Sequence, residues 1–435
     1  MSTKKQIYKP KPVSGFPEWL PQERRVELQW LDHIRCVFES YGFASIETPA
    51  VEELDVLTAK GETDKEIYTL NRLQADPDEK DEARLGLHFD QTVPFARYTA
   101  QHFNDLTFPF KRYQMQKVWR GERPQLGRMR EFLQCDIDVI NVDHLPLSFD
   151  AEIVAIIHEV LSGLDIGKVQ VRISNRKVLL GLMEALEISD VTAVTRIVDK
   201  LDKLGEDEVA KLLLSECGLS ADQASKILKL TSQPFNEISA ENDQMKEGLD
   251  ELSFVLDQLS HLPDGAVVAD LSIVRGLDYY TGTVYETRLL DIPEFTSSVC
   301  SGGRYDDLAG SYINKHLPGV GISIGFTRLF DVLRHHGYLE KHTARKCPTD
   351  VLVVLPNEEQ RAAAQETART LRQSGHNVEV YHAPQKIGKQ IAYAEKKGIP
   401  YVWFPPFEEG GTHEVKTMAG GDQSAADPQN WKIAE

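Results

Sequence analysis

The chain has 435 residues, a formal net charge of −18, 41% hydrophobic and 27% charged residues, enough for two or three domains with buried cores and the balance of an ordinary globular protein. An acidic total argues against indiscriminate nucleic-acid binding while leaving room for a local basic site. The five cysteines, Cys36, Cys135, Cys217, Cys300 and Cys347, never form a CxxC pair, which speaks against a disulfide framework or structural zinc. No apolar run approaches the ~20 residues of a membrane span and MSTKKQIYKPKP has no apolar signal stretch, so a cytoplasmic protein without membrane association is expected.

From Pro21 to Tyr41, Leu28, Leu31, Ile34, Val37, Phe38 and Tyr41 recur at helical spacing, predicting a helix that Pro21 starts and Gly42 ends. FASIETPAVEE alternates like a strand but carries Pro49, which suits an edge or irregular position. Helix and broken strand suit either a dimer interface or internal packing. Residues 74–83, QADPDEKDEA, read as a charged turn or hairpin tip, and LGLHFD, RYQMQKVWR and FLQCDIDVI read as strands. Residues from about 176 to 260 change to helical periodicity, predicting an inserted helical subdomain, before strand signals return in AVVADLSIVRG and TGTVYETRLL. Beyond a linker, RHHGYLEKHTARKCP, the tail from about 348 alternates strand and helix: DVLVVLP, EEQRAAAQETARTLRQSG, HNVEVYH, QKIGKQIAYAEKKGI, PYVWFPP. That alternation predicts a small α/β domain with a mainly parallel sheet.

The chemistry concentrates around WRGERPQLGRMRE. Between Lys111 and Arg130 stand seven Lys/Arg residues and a single carboxylate, Glu122. In FLQCDIDVI, Gln134, Asp136 and Asp138 share the face opposite Leu133, Cys135, Ile137 and Val139. In RYQMQKVWR, Gln114, Gln116, Val118 and Arg120 share a face. If GERPQLGRM joins the two strands antiparallel, Arg120 lies near an amide, two acids and Phe132. Such a platform suits an anion, an aromatic ring and a cationic or imidazole group together. Arginine fits phosphate because its planar fork donates paired charge-assisted hydrogen bonds and keeps its proton.

RGERPQLGRMREFLQCDID resembles motif 2 of the class II aminoacyl-tRNA synthetases in the form used by the histidyl-tRNA synthetase family. VRGLDYYTGTVYE (274–286) is similar to that family's histidine signature, SGGRYDDL to its second signature, and GVGISIGFTRL to motif 3 with Arg328 as the motif arginine. The first helix with Pro49 matches motif 1, so the resemblance covers nearly the whole chain in order.

The resemblance implies an α+β fold: an antiparallel sheet flanked by helices as catalytic domain (1–338, with the helical insertion at about 176–260), then an α/β anticodon-binding domain (348–435). It implies a homodimer that activates L-histidine with ATP and transfers it to the 3′ end of tRNA(His). By the same resemblance Arg120 and Arg275 are catalytic, contacting the α-phosphate, and Arg120, Glu122, Phe132 and Arg328 bind ATP. Asp90, Thr92, Gln134, Asp138, Arg275, Tyr279 and Tyr280 bind histidine. Arg123 and Arg128 approach the tRNA acceptor end, and Lys386 and Lys389 are candidates for anticodon contacts. Mg²⁺ is expected to accompany ATP, bridging the outer phosphates with few dedicated protein ligands. The chain departs from the commoner bacterial pattern in having Asp90-Gln91-Thr92 for Glu-Gly-Thr, Asp138 for Glu, and Thr327 before the motif 3 arginine, where an acid is frequent. The alternative is a synthetase-like regulatory subunit of ATP phosphoribosyltransferase, which shares the catalytic fold, usually lacks the tail domain and charges no tRNA.

Overall fold

The computed structural model describes residues 8–58, 66–72, 84–274, 280–406, 408 and 410–433. The expected turn at 74–83 lies outside the described residues, as do Arg275 and Tyr279. The chain divides into two compact units, Met1–Pro17 with Asp32–His335, and Glu18–Leu31 with His336–Glu435.

In the first unit the strands are β1 (Ala44–Ser45), β2 (Val51–Glu53), β3 (Thr69–Leu70), β4 (Leu85–Leu87), β5 (Phe110–Trp119), β6 (Glu131–Ile140), β7 (Val169–Asn175), β8 (Val267–Ala269), β9 (Tyr280–Leu289), β10 (Cys300–Tyr305) and β11 (Gly319–Ile324). Eight of them form one sheet in the order β1-β5-β6-β11-β10-β9-β7-β8. Its interior pairings are antiparallel and its two edge pairings, β1 with β5 and β7 with β8, are parallel. Three short strands, β2-β4-β3, make a second sheet. The Pro49 segment is the break between β1 and β2, as a residue without an amide hydrogen requires.

The predicted first helix runs Pro21–Ser40, and Gly42 follows it with φ +80°, a left-handed position that suits glycine. The helix Ser148–Ser162 buries Ile153, Val154, Ile156, Ile157, Val160 and Leu161, a stripe broad enough to cover the sheet. The segment expected to be helical from 176 to 260 contains helices Arg176–Ala185, Val191–Val198, Glu206–Glu216, Ala221–Ser232 and Asp243–Gln258. Ser220 and Gln223 close a reciprocal capping box at the fourth of these, satisfying otherwise orphaned amides.

The second unit adds β12 (Val351–Val353), β13 (Val378–Val380), β14 (Tyr401–Phe404), β15 (Glu414–Thr417) and β16 (Gln423–Ala425), in the order β13-β12-β14-β15-β16. The three expected strands pair in parallel, linked by helices Arg361–Gln373 and Ile387–Lys397. The expectation of a mainly parallel sheet needs correction: β15 and β16 add two antiparallel pairings. Val415 is buried but the whole of β16 is exposed, so the hairpin carries little of the apolar alternation that identifies a strand. Arg25 of the first helix donates to the carbonyls of His342 and Arg345 within this unit.

Candidate active site

β5 and β6 pair over their full length, with Arg112 opposite Asp138, Gln114 opposite Asp136, Gln116 opposite Gln134 and Val118 opposite Phe132. Period-two alternation therefore places the polar row of one strand beside that of the other on one face. On the far side of β6, β11 sets Ser323 opposite Asp136 and Gly321 opposite Asp138. β10 then sets Gly303 opposite Gly321 and Tyr305 opposite Gly319.

The glycines of β11 and β10 exist for close approach. A Cβ at Gly321 would stand 2.0 Å from Asp138 Oδ1, and one at Gly319 would fall 2.3 Å from the Tyr305 ring. One at Gly303 would meet the Tyr280 ring at 2.8 Å, and one at Gly302 would meet the Gly321 carbonyl oxygen at 2.1 Å. The missing side chains are thus the space into which Asp138, Tyr280 and Tyr305 fit.

At the open end of this face lies a cavity of about 630 Å³, including its solvent-facing mouth. Arg120, Glu122, Arg128, Phe132, Gln134 and Arg328 line it, together with Ser298, Cys300, Ser301 and Ser323. The Arg120 guanidinium is fixed by Nε donating to the Phe89 carbonyl at 3.0 Å and lies 5.3 Å from the Phe132 ring centroid, within cation–π range. Arg328, in the first turn of the helix Phe326–His335, donates from Nε to the Gly127 carbonyl (2.8 Å) and from Nη1 to that of Ser298 (3.0 Å). Gly127 has φ +68°, and its amide donates to Asp331 at 3.0 Å, so the arginine-rich loop is tied back to that helix. Thr327 accepts from the Leu133 amide at 2.8 Å, which gives its hydroxyl a part in fastening the helix start to β6.

Glu122 is engaged by Arg128, with Nη2 donating to Oε1 at 2.5 Å and Nε to Oε2. This pairing holds the Glu122 carboxyl below the usual range, whereas burial and the neighbouring Glu122 push Glu66 up. Arg128 is thereby drawn onto the cavity wall, while Arg123, in the same loop, is exposed and absent from the cavity lining.

Deeper in, the Asp138 carboxylate forms an ion pair with Arg112 (Nη2 to Oδ2, 2.6 Å) and accepts from the Tyr305 hydroxyl at 2.9 Å. Burial pushes its pKa up, against the pull of Arg112 and that hydrogen bond. Asp136 is driven by burial to about 7. The Tyr280 hydroxyl is raised by burial and then by the charges of Asp138, Asp136 and Asp90, which places it in one electrostatic cluster with three predicted histidine-binding or neighbouring acids. Asp90 also accepts from the Val93 amide at 3.1 Å, at the start of the helix Thr92–Gln101. Gln134 donates to Ser323 at 2.8 Å, and its buried Oε1 has no partner within the protein.

Arg112 and Tyr305 belong to this cluster but were not singled out from sequence. Arg112 shares the period-two face of Gln114, Gln116 and Arg120, and Tyr305 lies inside SGGRYDDL, so both were within reach of the same alternation and motif. Lys386 and Lys389 are exposed at the start of the helix Ile387–Lys397 in the second unit.

A mostly antiparallel sheet carrying an arginine-lined, nucleotide-sized cavity, with a separate α/β unit behind it in sequence, defines a class II aminoacyl-tRNA synthetase architecture. The family model for histidyl-tRNA synthetase matches residues 15–329, and that for the anticodon binding domain matches 350–431. The histidine–tRNA ligase of Thermobifida fusca is 60% identical over 438 residues, covering 99% of each chain. That of Micrococcus luteus is 47% identical, covering 96% of this chain and 95% of the relative. The crystal structure of histidyl-tRNA synthetase from Nostoc sp. PCC 7120 superposes with a TM-score of 0.86 at 40% identity, covering 97% of both chains. The chain belongs to the histidyl-tRNA synthetase family.

Proposed function

We propose that this chain is a histidine–tRNA ligase, an enzyme that condenses L-histidine with ATP and passes the acyl group to the 3′ end of tRNA(His). The observation that carries the reading is the polarity of a single sheet face. Its open end is ringed by the guanidiniums of Arg120, Arg128 and Arg328, and its deep end holds Asp136 and Asp138 with the Tyr280 and Tyr305 rings packed against facing glycines. A triphosphate suits the first, and an ammonium with an imidazole suits the second.

In the first step a histidine carboxylate oxygen attacks the α-phosphorus, a P–O bond forms, and the bond to pyrophosphate breaks. Negative charge spreads over the phosphoryl oxygens, and fixed cations supply the stabilisation. Arg120, held by the Phe89 carbonyl, is the candidate on the described surface, and Arg275 is its proposed partner. The Phe132 ring lies where it can stack on adenine, Arg328 is the candidate for the adenine and γ-phosphate, and Glu122 is the acceptor for the exocyclic amine. In the second step the terminal ribose hydroxyl attacks the acyl carbon and AMP leaves with the electron pair.

Specificity for histidine requires partners for both imidazole nitrogens, because an analogue that leaves buried polar groups unpaired is rejected. Asp138 and Tyr280 are the proposed pair. Gln134, with its unfilled Oε1, and Asp90 and Thr92 are proposed for the amino-acid ends, and a packing role is proposed for Tyr279. Mg²⁺ is proposed to travel with the outer phosphates, held mainly by them and by water. Arg123 is the better candidate for the tRNA acceptor end. For Arg128 the geometry favours the nucleotide, so Arg128→Ala should lower pyrophosphate exchange and charging together.

A homodimer through the first helix is part of the proposal, supported by Leu28 within it and Leu20 just before it, 48% and 59% exposed. Work on tRNA in the cytoplasm is part of the same proposal; among the described residues no helix is long and apolar enough to cross a membrane. A Bacillus halodurans structure described as an ATP phosphoribosyltransferase regulatory subunit/histidyl-tRNA synthetase matches with a TM-score of 0.72 at 22% identity, a likeness of fold only. The deciding assay is ATP–pyrophosphate exchange with each of the twenty amino acids, followed by charging of total tRNA. Histidine alone should support exchange, and exchange with a different amino acid, or none, overturns the reading.

A further inference from the structure

The buried guanidinium of Arg112 is not needed by the phosphate chemistry above, and it does not line the arginine-rimmed cavity. It is completely buried on β5, directly across from Asp138 on β6. Its carbon centre sits 4.2 Å from the Phe95 ring centroid. Nε, Nη1 and Nη2 have no hydrogen-bond partner within the protein, so the group is held by its charge pairing with Asp138 and by stacking on the ring. A buried Arg–Asp pair is a poor means of gaining stability, because desolvating both charges offsets most of their attraction. Apolar side chains of similar volume would fill the same space at least as well.

Resting on the histidine–tRNA ligase reading, we propose that Arg112 is the positioning residue of the imidazole pocket: it keeps the Asp138 carboxylate charged and aimed so that its remaining lone pairs accept from the substrate's ring N–H. An ionised carboxylate offers about four acceptor directions. Arg112 faces Oδ2 as a charge partner without a hydrogen bond, and the Tyr305 hydroxyl takes one direction on Oδ1. Gly321, opposite on β11, has no side chain to push the carboxylate aside, and the directions facing neither Arg112 nor Tyr305 are the ones proposed for the ligand.

The charged and titratable groups facing this carboxylate are Arg112 from β5, Asp136 on its own strand, Tyr305 from β10, Tyr280 from β9, and Asp90 from the segment before the helix Thr92–Gln101; β11 presents Gly321 and Ser323. Arg112 is the cation of that set. Burial, and to a smaller extent Asp90, push Asp138 toward its neutral form, and Arg112 is the largest opposing influence. Without it the balance shifts further toward the neutral form, which presents an O–H where the substrate needs an acceptor.

The test is pyrophosphate exchange by Arg112→Met, Arg112→Lys, Asp138→Asn and the Arg112→Met/Asp138→Asn double variant, from pH 6 to 9. Arg112→Met should raise KM for histidine about 10- to 100-fold at pH 7, with KM for ATP changed less than about twofold. The variant-to-wild-type ratio of kcat/KM for histidine should climb with pH, because alkali restores the ionised carboxylate. Free histidine titrates identically in both assays and cancels in that ratio, and a merely structural loss would leave it flat. Arg112→Lys, which keeps the charge, should lose less and retain nearly the wild-type profile. It also serves if the methionine variant does not fold. In the Asp138→Asn background, Arg112→Met should add less than about threefold, since its target is already gone. The proposal is overturned if wild-type enzyme exchanges with histidine but KM for histidine in Arg112→Met stays within about threefold of wild type. A flat ratio across pH, or losses that multiply in the double variant, overturn it equally. Absence of histidine-dependent exchange by the wild type would instead strike the ligase reading.

Discussion

Replacing Gly321 by alanine probes the depth of the pocket with a single methyl group. An added Cβ would stand 2.0 Å from Asp138 Oδ1 and 2.5 Å from its Cγ, whereas real Cβ contacts essentially never fall below 3.0 Å. The carboxylate must therefore retreat by at least about 1 Å, away from the Tyr305 hydroxyl now 2.9 Å away and off its line to the substrate. A charge-assisted hydrogen bond contributes about 1.5–3 kcal/mol, and a misplacement of about 1 Å is enough to forfeit it. At ~1.4 kcal/mol per factor of ten, kcat/KM for histidine should fall roughly 10- to 150-fold. The loss should appear mainly in KM for histidine, with KM for ATP nearly unchanged, because the arginines of the open end lie several residues along the strands. Steady-state pyrophosphate exchange with each substrate varied in turn measures both. Wild-type KM for histidine in a folded Gly321→Ala enzyme would refute the placement of Asp138 as the imidazole acceptor.

Tyr305→Phe deletes only the hydroxyl that donates to Asp138, so KM for histidine should rise about 3- to 20-fold, measured in the same assay. Thr327→Val leaves the Leu133 amide without its acceptor, at a cost of about 1–3 kcal/mol; chemical denaturation should register it, and KM for ATP should rise because Arg328 is the next residue. Asp136 has a native pKa of about 7, raised by burial, against an ordinary value near 4. The native state therefore binds a proton that the unfolded chain has released across that interval. Its stabilisation is complete below about pH 4, declines as pH rises to about 7, and then levels off. Asp136→Asn should flatten the fall in stability between pH 5 and 8, and an unchanged slope in urea melts at those pH values would contradict the assignment.

Much of the architecture was legible because it rests on short-range regularities. The apolar stripe from Leu28 to Tyr41, the alternation in RYQMQKVWR and FLQCDIDVI, and the strand–helix order of the tail each report a local period. The polar face of β6 was readable for the same reason. What remained hidden depends on partners far apart in the chain. Alternation sets Arg112 on the polar face and Lys111, which pairs with Glu152, on the other; only the register with β6 brings Arg112 beside Asp138. The glycines of GVGISIG gave no sign that two of them make room for Asp138 and Tyr305, since that needs the alignment of three strands. Arg123 and Arg128 look alike in the loop, and it is the Glu122 carboxylate that draws one of them onto the cavity wall. β15 and β16 escaped because a hairpin of one half-buried and one exposed strand has little hydrophobic pattern to read.

Around Gln134, which lines the cavity, the side-chain amides of Gln114, Gln116 and Gln91 tie together Thr48, β5 and β6. Gln114 donates to Thr48 and Gln116, Gln116 to the Thr48 carbonyl, and Gln91 to the carbonyls of both Gln116 and Gln134. Each link is satisfied only while its neighbour holds station, so this patch yields as one piece or not at all. Deuterium should therefore enter the backbone of β5 and β6 in a single slow, concerted step, and an enzyme waiting for its substrates keeps the floor already set.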